Sequence, residues 1–165
     1  ISMVLQYFKK KENEYKKKAD EIYSLSIDKS KNIINKNFLK KANFDSSFEI
    51  TSIILIFCLK ILKDHNKNKN NEISNYLINN LILDLDNTFR EMGIGDMSIG
   101  KHVKKYVKKF YYRIRIIDPI IERTDFHKLY EYLKSLKSVD KSDHKNIVND
   151  LLEVYKGLKK NILNY

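Results

Sequence analysis

One stretch in the middle of the chain decides how it folds: Asp84-Leu85-Asp86-Asn87-Thr88-Phe89-Arg90-Glu91-Met92-Gly93-Ile94-Gly95-Asp96-Met97-Ser98-Ile99-Gly100-Lys101. The chain has only four glycines, and three of them are Gly93, Gly95 and Gly100. Glycine adopts positive φ readily and lets another backbone come close, so the cluster predicts a tight connection. The stretch is either a turn between two helices or a phosphate-binding loop, and the choice separates a binding protein from a nucleotide enzyme.

The phosphate-loop alternative rests on residues 95–101, which match the core pattern G-x-x-x-x-G-K. His102 stands where that pattern requires the Ser or Thr that binds magnesium, and the preceding segment has helical rather than strand periodicity. Asp96 would also put a negative charge among the backbone N–H groups that hold phosphate. We therefore interpret the stretch as a turn, in which Gly93 ends one helix and Ser98 caps the next.

No other set of residues indicates catalysis or metal binding. Asp84 and Asp86 have the first spacings of a calcium loop, but Phe89 occupies the position that requires glycine. Asp86 and Arg90 are instead predicted to form an ion pair one helical turn apart. The four histidines are scattered, without cysteines or carboxylates at ligand spacing. We expect neither an enzyme nor a cofactor or metal site, and we interpret the single Cys58 as a core residue.

Length, composition and periodicity predict an all-α fold, a single-domain helical bundle of about six helices. A chain of 165 residues is expected to form one domain, and one proline with four glycines leaves little turn chemistry for short strands. Apolar periodicity predicts helices over residues 12–24, 28–42, 46–64, 72–92, 99–117 and 144–163, with short helical segments over 126–136. We expect a mobile basic tip over residues 1–12 and one helical domain over 13–165.

Local signals predict where several helices begin and end. Besides Ser98, capping residues predict three further starts: Asp28, Ser46 (with Glu49 completing a capping box) and Asp143. Asp118 precedes Pro119, which disfavours helical geometry at Asp118 and predicts a break or kink there.

The predicted helix over 46–64 is apolar on nearly all sides between Ile50 and Leu62. That run is shorter than the roughly 20 residues that span a bilayer, so we expect a soluble chain, at most attached to a membrane surface. The helix is then either the buried centre of the domain or an exposed surface for an apolar partner, and we favour the buried position.

The net charge of +11 has two explanations, an anionic partner or a general abundance of Lys. Six basic residues share much of one face of the predicted helix over 99–117 and form a candidate docking face: Lys101, Lys104, Lys105, Lys108, Lys109 and Arg113. Like charges one turn apart repel, so the face costs helix stability unless an anion offsets it. It either contacts RNA phosphates or anionic lipid, or is a solvated lysine face. Without a recognition signature, we expect no specific DNA partner.

The central stretch resembles the signature of the ubiquinol–cytochrome c chaperone family. That signature reads approximately D-x-x-L-R-E-M-G-V-G-D-L-S-V-G-K, followed about ten residues later by F-Y-G-R, here Phe110-Tyr111-Tyr112-Arg113. Phe48-Glu49 is similar to an R-F-E element of the family, and the resemblance covers about residues 19–136. Phe89 replaces the usual Leu, and Tyr112 replaces the Gly of F-Y-G-R.

The resemblance implies a non-enzymatic, all-α assembly factor for the cytochrome bc1 complex, which binds newly made cytochrome b or a similar apolar membrane-protein client. It also implies a small partner protein and the ribosome (rRNA) as further partners, and the basic face adds an anionic membrane surface as an alternative. The implied location is cytoplasmic at the bacterial inner membrane, or the matrix side in mitochondria. The signature residues are then expected to bind a partner: Asp86, Arg90, Glu91, Met92, Gly93, Gly95, Asp96, Gly100 and Lys101. The alternative is a basic helical module that binds nucleic acid or ribosomes without chaperone activity.

Overall fold

The structure, a computed structural model, describes residues 2–37, 43–65, 68–139 and 144–163, with side chains from Lys11 onward. Within these residues the chain forms six α-helices and no β-strand: α1 (Ser2–Asn37), α2 (Phe44–Asp64), α3 (Asn68–Glu91), α4 (Asp96–Glu122), α5 (Phe126–Ser135) and α6 (His144–Leu163). The predicted all-α bundle of about six helices is confirmed. The predicted cap Asp143 and residues 38–42, where the second helix was predicted to end, lie outside the described residues.

The apolar helix α2 forms the centre of the core. Helices α1, α3, α4 and α6 all contact it, and α5 packs against α4 and α6. Ile53, Ile54 and Cys58 have no exposed surface. The apolar run is therefore buried core rather than an exposed binding surface, as favoured from the sequence. Among the described residues, every helix is too short or too polar to cross a bilayer.

The two helices predicted over residues 12–42 form one continuous helix in the described part, α1. Asp28, predicted to cap the second, lies inside α1 instead. The serines around it are bonded within the helix, because Ser26 and Ser30 donate hydroxyl hydrogen bonds to the carbonyls of Ile22 and Ser26, both at 2.8 Å. Burial of this stretch against α2 and α3 overrides the local capping preference of Asp28.

Helix α2 begins one turn earlier than the predicted cap. Asn43 is the N-cap, and its side chain accepts a hydrogen bond from the backbone N–H of Ser46 at 2.9 Å, while Ser46 Oγ accepts from the Asn43 N–H at 3.0 Å. The prediction of Ser46 as N-cap is therefore wrong, since Ser46 is the N3 residue of the box. The earlier start brings the Phe44 ring against Phe89 and Tyr106, with centroid distances of 5.2 and 5.1 Å.

Helix α4 passes through Asp118 and Pro119 without ending, so the predicted break there is wrong. Proline removes only one backbone N–H from the ladder, and tertiary contacts hold the segment helical. Ile117 and Ile121 are buried on the core side. The carboxylate of Asp118 lies 3.7 Å from Nζ of Lys60, a lysine that α2 holds almost fully buried.

Candidate functional site

The turn between α3 and α4 is closed by backbone hydrogen bonds around Gly93, whose φ is 84°. The N–H of Gly93 donates to the carbonyl of Arg90 at 3.0 Å, and the N–H of Ile94 donates to the carbonyl of Phe89 at 3.0 Å. These two bonds are the Schellman pattern, with Gly93 at the C′ position, as predicted. A side chain at Gly93 would be strained by this φ, so the glycine fixes the direction in which the chain leaves α3.

The side chain of Arg90 stabilises the same turn by hydrogen bonds to two carboxylates. Its Nε donates to Asp86 Oδ2 at 2.8 Å, which is the predicted pair, and a second guanidinium N–H donates to the carboxylate of Asp96 at the start of α4. These hydrogen bonds, first to Asp86 and then to Asp96, raise the pKa of Arg90. The group is exposed, so the contribution of the bonds is mainly to hold the geometry of the two helix ends.

Helix α4 starts earlier than predicted, because Gly95 rather than Ser98 is its N-cap. The carbonyl of Gly95 accepts the N–H of Ser98 at 2.9 Å, so Ser98 lies inside the first turn. Asp96 places its negative charge at the positive end of the helix dipole. Gly100 follows within the helix, with open space where a Cβ would point. Residues 95–101 are thus a helix start that follows another helix, which removes the strand context of a phosphate loop.

The exposed residues of the signature stretch around this turn include Glu91, Met92, Met97 and Lys101. Met92 is 57% exposed and Met97 is 101% exposed, so the turn presents two large apolar side chains to solvent. Methionine is flexible and polarizable, and it suits contact with apolar partners of variable shape. Met97 was absent from the predicted site; the available signal was its position one helical turn before Lys101, on the same face.

Four of the six predicted docking residues form an exposed row on α4, here termed the lysine face: Lys101, Lys104, Lys105 and Lys108. None of the four forms an ion pair within the described residues. Along the same helix, Met97 lies before the row and exposed Tyr111 and Tyr112 lie after it. The lysine face therefore has apolar or aromatic side chains at both ends.

Lys109 and Arg113, the other two predicted docking residues, turn towards the buried carboxylate of Glu49. Arg113 is 14% exposed and donates two hydrogen bonds to Glu49, from Nε at 3.0 Å and from Nη2 at 2.8 Å. Lys109 Nζ lies 3.9 Å from the same carboxylate, and Tyr132 of α5 donates to it at 3.4 Å. Glu49 itself is 2% exposed, so this cluster compensates a buried charge.

The Glu49–Arg113 pair joins two outlying elements of the sequence signature, Phe48-Glu49 on α2 and residues 110–113 on α4. Burial lowers the pKa of Arg113, but its hydrogen bonds to Glu49 and the neighbouring charges raise that pKa overall. The guanidinium therefore stays charged and holds α2 against α4. The family resemblance identified both elements from the sequence, but it did not predict that they contact each other.

The described residues offer few side chains arranged for metal binding or nucleophilic catalysis. No group of three or more His, Cys, Asp or Glu side chains among them is placed to hold a metal ion. Cys58 lies 3.3 Å from Ser26 Oγ in the core, and burial raises the pKa of its thiol to about 12. A thiol in that state is a poor nucleophile at neutral pH.

Comparisons with known proteins agree with the central signature. The sequence model of the family described as Ubiquinol-cytochrome C chaperone matches residues 38–143. The crystal structure of the Cbp3 homolog from Brucella abortus has a similar fold, with a TM-score of 0.74 at 18% identity over 94% of this chain and 88% of that chain. Among curated proteins, none matches. The family match spans well over half of the chain and includes the α3–α4 turn, the lysine face and the Glu49–Arg113 pair. The chain belongs to the ubiquinol–cytochrome c chaperone family.

Proposed function

We propose that this protein is a non-enzymatic chaperone in the assembly of the cytochrome bc1 complex, and that it holds an apolar segment of newly made cytochrome b or a similar membrane-protein client. Membership of the family supports the chaperone role. The observation that carries the proposal at the level of residues is the exposure of Met92 and Met97 on either side of a rigid turn, directly beside the lysine face. An apolar contact surface next to a cationic one suits a client that emerges at a membrane.

The lysine face docks the chaperone on an anionic bilayer in this proposal. Lysine stems extend their charge towards headgroups, and tyrosines such as Tyr111 and Tyr112 prefer the bilayer interface. Each lysine near an anionic surface contributes about 1 kcal/mol, so four contribute roughly 4 kcal/mol, or about a thousandfold in the binding constant. Ribosomal RNA is the other anionic surface available, and the exposed apolar ends of the face favour lipid over it.

Sedimentation with vesicles that contain phosphatidylserine tests the docking surface. We expect Lys104→Glu combined with Lys108→Glu to abolish co-sedimentation and to leave the melting temperature near that of the wild type. Lys156→Glu combined with Lys160→Glu is the matched control, because it makes the same charge change at the same spacing on α6. Equal loss in both double variants would mean that net charge alone drives binding. Binding to purified ribosomes but not to vesicles would overturn membrane docking.

Affinity purification from native membranes tests the client. We expect cytochrome b to co-purify with the wild type and to be depleted with Met92→Gln combined with Met97→Gln, since glutamine keeps the length of the side chain and removes its apolar character. Recovery of cytochrome b that is unchanged by this double substitution would remove the turn from the client site. Recovery of RNA without any membrane protein would replace the chaperone proposal by the nucleic-acid alternative.

A further inference from the structure

A cavity of about 190 Å³ lies between α1, α2 and α3. Apolar side chains supply most of its wall, among them Ile27, Phe44, Leu81 and Leu85. Thr51 and Thr88 add hydroxyl groups. The space is partly open at the protein surface, so an apolar side chain of another protein can enter it.

An open groove of about 480 Å³ runs along α1 and α3 next to this cavity. Cavity and groove share Tyr23, Ile27 and Asp84 as lining residues. The hydroxyl of Tyr23 donates to Asp84 Oδ2 at 2.6 Å, which places this pair where the two spaces adjoin. Leu83 adds well-exposed apolar surface to the groove. The two spaces therefore offer an apolar recess with a polar rim.

The groove carries negative charge on a chain whose net charge is +11. Three carboxylates line it, those of Asp20, Asp28 and Asp84, together with one cation, Lys31. Two of the carboxylates receive hydrogen bonds from neutral donors: Asn80 Nδ2 donates to Asp20 at 2.9 Å, and the Tyr23 phenol donates to Asp84. These bonds orient the carboxylates without cancelling their charge, so the groove is complementary to a cationic segment.

We propose that the cavity and groove form an anchor site, which binds one apolar side chain of Leu or Phe size flanked by Lys or Arg in a client segment. About 150 Å³ of apolar cavity accommodates benzene, whereas drug-sized ligands occupy roughly 300 Å³ or more, so the volume fits a single side chain. The acidic rim selects basic neighbours of that anchor. The inference rests on the proposed function, because it adds a second client contact on the same chaperone, separate from Met92 and Met97.

Membrane-protein clients supply this chemistry at a defined place. Lys and Arg are concentrated in the short cytoplasmic loops that adjoin transmembrane helices, where apolar and basic residues stand side by side. The anchor site would thus bind the end of a transmembrane segment rather than its middle. None of the four lysine-face residues lines the cavity or the groove, so the lysine face on α4 remains available for the bilayer.

Fluorescence anisotropy with a labelled peptide tests the chemistry directly. The probe is a twelve-residue Gly/Ser peptide with a central Phe that has two Lys on each side. We expect binding to weaken roughly tenfold to a hundredfold when the Phe becomes Ala, the loss typical of one fully buried apolar side chain. We expect replacement of the four Lys by Glu to abolish binding. Equal affinity for all three peptides would overturn the proposal.

Substitutions that fill the cavity test its location. Thr88→Leu is expected to weaken binding of the Phe peptide to the level of the Ala peptide, whereas Thr88→Val is the size-matched control and should bind like the wild type. Thr51→Leu fills the same cavity from α2, and it replaces Thr88→Leu if that variant does not melt cooperatively. Asp20→Asn combined with Asp28→Asn is expected to reduce the preference for Lys over Glu. Unchanged peptide affinity in a folded cavity-filling variant would overturn the site.

Cytochrome b recovery separates this inference from the proposed function. If the Thr88→Leu variant loses the peptide but recovers cytochrome b like the wild type, the client does not use the anchor site and the inference is overturned while the chaperone role stands. If the wild type binds the peptide through Thr88 but recovers no cytochrome b, the anchor site is supported and the proposed client is wrong.

Discussion

Removal of Arg113 with Glu49 left in place tests how α2, α4 and α5 are held together. Arg113→Met keeps an unbranched apolar stem and deletes the guanidinium that donates two hydrogen bonds, at 3.0 and 2.8 Å. Glu49 would keep only weaker partners, Lys109 Nζ at 3.9 Å and the Tyr132 hydroxyl at 3.4 Å. The substitution therefore leaves a buried carboxylate that is poorly compensated.

The structure indicates how much the free energy of unfolding should fall in the Arg113→Met variant. Breaking a buried ion pair from one side typically costs about 3–5 kcal/mol. Arg113 is 14% exposed and Lys109 remains nearby, so we expect the lower end, about 3 kcal/mol. For a domain of this length each kcal/mol lowers the melting temperature by about 2–4 °C, which gives a decrease of roughly 6–12 °C. Glu49→Leu combined with Arg113→Met removes both charges and should cost less than Arg113→Met alone.

Urea unfolding at neutral pH, followed by far-ultraviolet circular dichroism, measures these differences. Arg113→Lys is the matched control, because it keeps the charge but loses the planar two-bond geometry, and we expect an intermediate value. If Arg113→Met lowers the free energy of unfolding by less than about 1 kcal/mol, the buried pair contributes little to stability. A double variant at least as unstable as the single one would refute the argument that an uncompensated Glu49 is the cause.

Three further predictions follow from backbone geometry and burial. Gly93→Ala should lower the free energy of unfolding by about 1–2 kcal/mol because of the φ of 84°, whereas Gly100→Ala in α4 should raise it by about 0.5–1 kcal/mol; urea unfolding compares the two. Burial, and then the hydrogen bond to Asp45, raise the pKa of Tyr106 from 10.0 to about 12. Its contribution to stability is thus complete below pH 10 and is lost as the pH rises towards 12, which alkaline unfolding of the wild type and Tyr106→Phe would reveal. Cys58, whose pKa burial raises to about 12, should resist thiol reagents in the native protein and react in urea; rapid native reaction would contradict the buried position of α2.

Features of the chain that depend on near neighbours were predictable from the sequence. The positive φ of Gly93 and the Asp86–Arg90 pair involve residues within one or two helical turns, and both were predicted correctly. The starts of α2 and α4 were placed too late, because Phe44 packs against Tyr106 and Asp96 bonds to Arg90. Local capping preferences contain no information about such contacts.

In the candidate site, too, contacts between residues that are distant in sequence could not be predicted. Helical spacing placed Lys109 and Arg113 beside the lysine face, but each lies at its edge, where a partner on another helix decides which way the side chain turns. Glu49, the partner of Arg113, is 64 residues away in sequence. The cavity was also beyond prediction, since it is defined by side chains from three helices and by how closely these approach. Periodicity predicts on which face of a helix a residue lies, whereas tertiary packing determines which residues that face contacts.

The buried position of α2 has a consequence for synthesis of the protein. The apolar run Ile50–Leu62 is covered in part by α6, which ends at Leu163, roughly 100 residues further along the chain. At about 5–20 residues per second, a ribosome needs about 5–20 s to make that interval. Through this time the run lacks part of its cover, and a β-branched, nearly uncharged segment in that state is prone to aggregate. A protein proposed to shield the apolar segments of others thus carries, in its own nascent form, a segment that needs the same protection.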